Sequence, residues 1–438
     1  MNHKFHSQKQ NRAKDLSRRD FIKISAVTAI GAAGITQLAG CSAVHTDTGC
    51  LASILSGAGS ENNRTFEASS IGSIRLKNRI IRSSVTMNGC DAQGRPTPDL
   101  LSHYRDIAAG GAGAVITGMR DTGMMIDHFL YQDQYFNDYK KVPDTIHGYN
   151  VPVIQQLSHH GGYTSLTGKN NFSVNKMSDS AIEDIIDGFV MAVEITKKLG
   201  FDGVQLHGAH GYALSQFLSP AVNKRSDKWG GSTENRFRII REIYKRSSLK
   251  TGNFPVMIKI NAYDNQRGGM RIEEAVRTAK LLEETGFAAI EVSCGTIGDG
   301  FSTIRVPEIP NEALLEFSEY GDIPSFIKPL FPFITSIVVN RFEPLYNYNV
   351  CAANEISENV KIPVIVVGGI RKIEEINPIL NSGAADYVSM GRPFIIEPDI
   401  VNRFRAEENY KSGCIECGYC IAAASDPGVK VRCFYGTL

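Results

Sequence analysis

From about residue 77 to residue 390 the chain alternates between two hydrophobic patterns. Short apolar runs rich in Val and Ile give way to longer stretches whose apolar positions recur three and four residues apart. The first pattern predicts strands and the second amphipathic helices. Eight strand segments follow in order: Lys77–Thr86, Ala112–Gly118, Val151–Leu157, the run that begins at Phe201, Val256–Ile260, Ala289–Ser293, Val364–Gly368 and Asp386–Met390. Asp99–Ala109 and Ile272–Thr285 read as helices between them. Strands alternating with helices predict an α/β protein, a (β/α)8 or TIM barrel with its chemistry at the C-terminal strand ends. Side chains alternate along a strand, so Val204 and Leu206 should face the helices while Gln205 and His207 face inward. The same parity turns Gln156 inward, Gln155 outward, and Lys259 inward with Met257.

The pattern fails in three places. Residues Cys294 to Asn340, about 295–340, interrupt the spacing with an insert carrying Phe301, Phe317, Tyr320, Phe326, Phe331 and Phe333 among prolines. A connection of that length at a barrel mouth is expected to be a lid or pocket wall, or a small satellite core. Residues 42–64 are rich in Gly, Ser, Thr, Asn and Ala, which predicts a flexible tether over 41–65 containing a Cys50 with no obvious partner. Residues 413–438 hold Cys414, Cys417, Cys420 and Cys433, three at C-x-x-C spacing and a fourth further on. That spacing points to a metal, with zinc, an iron-sulfur cluster and disulfides all compatible with it.

The 438 residues carry a formal net charge of +1, which gives no basis for a nucleic-acid partner. The first forty residues read as an address. Ser17-Arg18-Arg19-Asp20-Phe21-Ile22-Lys23 precedes a mild apolar run, and Leu38-Ala39-Gly40-Cys41 follows it. The first motif resembles a twin-arginine export signal and the second a bacterial lipoprotein processing site, with Cys41 the lipidated residue. The expectation is a periplasmic or cell-surface protein held to a membrane by a lipid anchor, with 66–412 as the barrel.

The stretch from Phe201 to Arg238 carries the chemistry. Its strand ends in His207-Gly208-Ala209-His210-Gly211-Tyr212, and Gln216-Phe217-Leu218-Ser219-Pro220, Trp229-Gly230-Gly231-Ser232 and Glu234-Asn235-Arg236 follow. This string resembles the Old Yellow Enzyme family of FMN-dependent oxidoreductases. The resemblance implies that an activated C=C bond is reduced by hydride transfer from FMN N5. His207 and His210 would hold the carbonyl oxygen, and Tyr212 would protonate the α carbon. It implies that Gln156 reads the flavin edge, that Arg236 places a cation near flavin N1, and that Lys259 adds a second. It also implies that Gly368, Gly369, Gly391 and Arg392 receive the phosphate. The family has an alanine, a proline and a methionine or leucine ahead of a threonine or cysteine at the flavin face. Here Ser83, Ser84 and Val85 precede Thr86, a departure that keeps only the hydroxyl.

Relatives resembling trimethylamine dehydrogenase and dienoyl-CoA reductase hold a [4Fe-4S] cluster on such a cysteine run. The expectation is therefore a cluster on Cys414, Cys417, Cys420 and Cys433, and an external electron donor, a cytochrome, flavoprotein or quinol-linked protein. The small-molecule substrate is an α,β-unsaturated carbonyl or acid. Two other readings stand beside it: an amine or C–H dehydrogenase running in the oxidative direction, and a non-catalytic electron-transfer lipoprotein.

Overall fold

The computed structural model describes residues 48–56, 63–123, 125, 133–161, 172–296, 301–339 and 341–435. The twin-arginine motif and Cys41 lie outside the described residues. Strands β1 (Ser69–Ile71) and β2 (Ile74–Leu76) form an antiparallel hairpin that turns at Gly72, where φ is +57°. The other strands are β3 (Ile80–Arg82), β4 (Ala114–Ile116), β5 (Arg120–Asp121), β6 (Val153–Ser158), β7 (Gly203–Gly208), β8 (Val256–Asn261), β9 (Ile290–Ser293), β10 (Val364–Val367) and β11 (Tyr387–Met390). Among the described residues eight of them, all but β1, β2 and β5, form a closed ring of parallel pairs, in which β4 pairs with β6 and β11 returns to β3. The eight expected strands are these eight, each within a few residues of its expected bounds. The two-residue β5 is an extra strand paired to the end of β6.

Alternation divides the interior into layers. Ile81, Ala114, Ile116, Ile154, Met257, Ile365 and Tyr387 form an apolar floor, and Ile71, Ile74 and Leu76 of the hairpin pack against it. One residue pair higher, the inward positions turn polar: Ser83, Gln156, Gln205, Lys259, Glu291 and Ser389 are all buried. The outward residues, among them Val204, Leu206, Ile258, Ile260, Ile290, Val292, Val364 and Val366, join the helices in the main core. Gln155 faces outward as expected, yet it is buried and accepts a 2.9 Å hydrogen bond from the Tyr139 hydroxyl.

The tether expectation is corrected over residues 48–56. Thr48–Ser56 is a helix, Ile54 is buried in the main core, and Cys50 is disulfide-bonded to Cys351. The covalent link sets this segment against the helix Val350–Ser357, a contact that no local composition could reveal.

The insert is no simple lid. Its helix Asn311–Phe317 contributes Ala313 and Phe317 to a satellite core completed by Ala422, Ala423 and Phe434 of the cysteine-rich segment. Phe326 and Phe333 are exposed. The insert thus supports the tail.

Cys50→Ser is expected to lower unfolding stability by about 2–4 kcal/mol and to open residues 48–56 to proteolysis. Denaturant titration and limited digestion of the full chain check both.

Candidate active site

His207 closes the inner face of β7, and the chain then turns through Gly208 and Ala209 to His210, which takes a left-handed conformation at φ +62°. Gly211 at φ +84° follows, and Tyr212 caps the short helix Ala213–Leu218. The three expected catalytic residues meet: the His207 ring lies 4.9 Å from that of His210 and 4.5 Å from that of Tyr212, centroid to centroid. His207 is 4 % exposed and Tyr212 7 %.

Burial dominates the electrostatics. Desolvation holds both imidazoles well below the usual histidine range, and the Lys259 cation pushes each further in that direction, as His210 does for His207. Neutral rings result. His207 Nδ1 accepts from the Ala209 amide at 3.3 Å, which leaves the proton on Nε2 as a donor. His210 Nε2 is 2.8 Å from Ser293 Oγ, and its backbone amide donates to Asn261 Oδ1.

Below the histidines lies an ionic layer. Lys259 Nζ stands 3.3 Å from Glu291 Oε2 and 3.1 Å from Ser83 Oγ. Glu291 also accepts from Gln205, Ser83 and Ser389 at 2.6–2.7 Å. Burial pushes the Glu291 carboxyl up, but Lys259 and the three donors more than offset it, so the group stays below the usual carboxylate range. Gln156 donates to Gln205 Oε1 at 2.7 Å. Sequence reasoning missed Glu291, Ser293 and Ser389, although inward parity on β9 and β11 would have marked them. Lys259 does point inward, though its first partner is Glu291.

The Arg236 expectation is corrected. Its guanidinium donates to the Leu218 and Gly231 carbonyls, to Thr233 and to Glu274 Oε1. It pins the loop after Leu218 between helices instead of adding a cation to the barrel interior. His160 and His159 are local: His160 Nδ1 is 2.6 Å from Asp121 Oδ2, and His159 Nδ1 accepts from the Gly161 amide.

At the mouth, Ser84, Val85 and Thr86 continue β3 as partly exposed irregular chain. A Cβ on Gly391 would meet Val85 Cγ2 at 3.0 Å and nothing else within 4 Å, so this backbone is open. Gly368 and Gly369 permit a different close approach, to the chain's own residues 345–349. A Cβ there would stand 2.6 Å from the Tyr348 ring and 2.4 Å from the Leu345 carbonyl. Arg392 Nη1 donates to the Arg305 carbonyl at 2.9 Å, and Arg305 Nε and Nη2 are buried and meet no hydrogen-bond partner among the described residues.

Cys414, Cys417, Cys420 and Cys433 are free thiols lining one open pocket with Arg392, Glu416 and Phe434. Burial pushes the Cys420 thiol up to about 12 and raises Cys414, against the pull of Arg392. Among the described residues no three Cys, His or carboxylate groups are gathered tightly enough to hold a single ion. A four-thiol donor set is that of thiophilic metals and clusters. Arg371 holds the run in place through Glu416 at 2.9 Å and the Cys414 carbonyl at 3.0 Å.

A closed parallel barrel with buried polar residues, paired neutral histidines and a tyrosine at its mouth defines a ligand-binding (β/α)8 protein with catalytic equipment. The family model of the NADH:flavin oxidoreductase / NADH oxidase family matches residues 64–300, and the chain belongs to that family. A second model, that of histidine biosynthesis proteins, matches residues 346–418, the part holding β10 and β11. The chain is 29 % identical over 397 residues to an NADH oxidase of Thermoanaerobacter brockii, covering 84 % of this chain and 55 % of that protein. It spans about half the length of this relative. In structure it is similar to a 2-naphthoyl-CoA reductase (22 % identity, TM-score 0.66, 85 % of this chain and 56 % of that one). It is also similar to a histamine dehydrogenase from Rhizobium sp. 4-9 (20 % identity, TM-score 0.65, 84 % of this chain and 51 % of that one). The FMN that the family implies fits the groups present: buried amides and a cation inside the barrel, and the open backbone of Gly391 beside Arg392 after β11.

Glu291→Ala strands a buried Lys259 and is expected to cost about 3–5 kcal/mol, and Lys259→Met with Glu291→Leu less than that, by urea unfolding. The histidines set a pH dependence. Unfolded, each titrates near 6.5, while folded each stays neutral well below it. The unfolded chain therefore binds more protons below pH ~6.5, and stability falls as pH drops from about 7 to 5. The slope approaches about 1.4 kcal/mol per pH unit per histidine. Unfolding midpoints of His207→Gln/His210→Asn should fall less steeply with acid than those of the unaltered chain.

Proposed function

We propose that this chain is an exported FMN-dependent oxidoreductase that reduces a C=C bond conjugated to a carbonyl or acid group. The observation that carries the reading is the neutral His207–His210 pair within ring contact of Tyr212 at the end of β7. Neutral imidazoles with their Lys259 neighbour favour an oxygen that becomes more negative during reaction, since each hydrogen bond then strengthens. His207 Nε2–H and His210 hold that oxygen, and Tyr212 delivers a proton to the adjacent carbon as general acid.

FMN, when bound, supplies the redox chemistry. Gln156, Lys259, the backbone of Ser84, Val85 and Thr86 and, at its phosphate, the Gly391 backbone and the Arg392 side chain would hold it. A [4Fe-4S] cluster on Cys414, Cys417, Cys420 and Cys433 would supply single-electron transfer, and an external cytochrome, flavoprotein or quinol-linked protein would be the donor. Four free thiols around one pocket, in a chain that elsewhere forms a disulfide, support a metal role for that run. The Cys50–Cys351 disulfide supports export, because such bonds persist in oxidising compartments. Together with the twin-arginine motif and Cys41, it favours a lipid-anchored protein at the periplasm or cell surface.

The likeness to histamine dehydrogenase supplies a second reading, oxidation of an amine or another C–H bond. Phe317 packs beneath the cysteine segment while Phe326 and Phe333 face solvent, so these rings form no cage for a cationic substrate.

Protein matured in an export-competent host is expected to show flavin and iron-sulfur absorption and, once reduced by dithionite and freed of excess reductant, to be reoxidised anaerobically by an enone. His207→Gln should slow that reoxidation by roughly 100-fold, and Tyr212→Phe by about the same factor. Reoxidation by artificial acceptors but by no enone would move the assignment to the dehydrogenase.

A further inference from the structure

Strand β5 stands outside the ring of eight and is nevertheless held firmly. Arg120 Nε donates to the Tyr139 hydroxyl at 3.0 Å, and its Nη2 donates to the Gly94 carbonyl and the Tyr135 hydroxyl, both at 2.8 Å. Asp121 pairs with Ser158 at the end of β6, which sets its carboxylate beside the turn that follows. There Asp121 Oδ2 accepts from the His160 backbone amide at 3.1 Å and lies 2.6 Å from His160 Nδ1. A carboxylate only accepts, so Nδ1 carries a proton, the ring is fixed in orientation, and Nε2 is the nitrogen left for proton exchange.

The turn after β6 is bound to the turn after β7. The Ala213 amide donates to the His159 carbonyl at 3.1 Å, and Gln216 Nε2 donates to the carbonyls of Gly161 at 2.9 Å and Gly211 at 2.8 Å. A Cβ on Gly161 would stand 2.7 Å from the Ala213 nitrogen, so the two turns come this close only because glycine has none. The His160 ring therefore meets the Tyr212 ring edge-on, 6.1 Å centroid to centroid with the planes at 72°. Tyr212 thus has two histidine neighbours of different kind. His207 is buried and, in the proposed reaction, holds the substrate oxygen, whereas the His160 side chain is 38 % exposed and backed by a carboxylate. His159 is engaged elsewhere, its Nδ1 accepting from the Gly161 amide.

A tyrosine that acts as general acid gives up its proton once in every turnover, and a buried phenolate must regain one before the next. We propose that Asp121 and His160 are positioning residues that serve Tyr212: Asp121 orients the His160 ring, and His160 returns to Tyr212 the proton spent on the substrate carbon. The proposal rests on the enone-reductase reading above. As the Tyr212 O–H bond breaks, the α C–H bond forms and a phenolate is left. His160 takes a proton at Nε2 from hydronium or a buffer acid, becoming an imidazolium whose charge the Asp121 carboxylate balances. The Nε2–H bond then breaks as the Tyr212 O–H bond re-forms, so the pair ends as it began and no electrons change hands.

The test uses the full flavin-loaded chain with reduced methyl viologen as donor. His160→Ala should cut steady turnover of an enone by roughly 100-fold, while slowing the first reoxidation of pre-reduced protein far less, because Tyr212 enters that event already protonated. Added imidazole should restore steady turnover in proportion to its concentration, and Asp121→Asn should give a smaller loss of the same kind. A measurement without turnover covers the chance that these variants misfold: in flavin-free, ¹⁵N-histidine-labelled protein, Tyr212→Phe should shift the His160 Nε2 resonance. Equal slowing of first and later turnovers with no rescue by imidazole would mean that His160 only supports the turn, and a His160 resonance indifferent to Tyr212→Phe would break the proposed path. If no enone reoxidises the unaltered chain, the proton-return role falls with the reading it rests on, whatever the resonances show.

Discussion

The buried Lys259–Glu291 pair is the interaction on which the site depends. The two residues sit side by side in register on β8 and β9, and Ser83, Gln205 and Ser389 bring β3, β7 and β11 to the same carboxylate. Neither charge would be tolerable alone at this depth. Together they divide the interior into an apolar floor below and a chemically active mouth above. The Lys259 field also reaches the histidines, adding to the desolvation that keeps both rings neutral. Burial first, and the Lys259 charge after it, keep neutral the groups that would meet substrate.

A second constraint runs through the C-terminal third. The cysteine run is held to the β10 turn by Arg371 and Glu416, and to the insert by the core of Ala313, Phe317, Ala422, Ala423 and Phe434. Arg392 faces both the thiol pocket and Arg305. Insert, tail and the last two strand ends are thus one packed unit. The disulfide at Cys351 ties the N-terminal helix to the neighbouring helix and so stiffens the same side of the barrel.

Much of this was legible in advance because it is local. Strand positions follow from runs of Val and Ile, inward residues follow from alternation, and the turn after His207 follows from its glycines. Hence Gln156, His207, His210, Tyr212 and Lys259 could be placed from the order of residues alone. Arg236 misled because a motif records which residue recurs and leaves open what it touches. Its neighbours in space are carbonyls of a loop that the chain has yet to fold.

By itself the sequence determined the eight-strand alternation, the inward face of each strand and the clustering of His207, His210 and Tyr212, since each depends on spacing within one segment. Tertiary structure alone decided the partners that meet from distant segments. Cys50 finds Cys351 across 301 residues, Glu291 collects donors from three other strands, and Arg305 reaches the β11 turn from an insert without periodicity. The physical reason is that a hydrogen bond, an ion pair or a disulfide depends on distance in space. Local pattern reports that distance only where the partners share a strand or a turn.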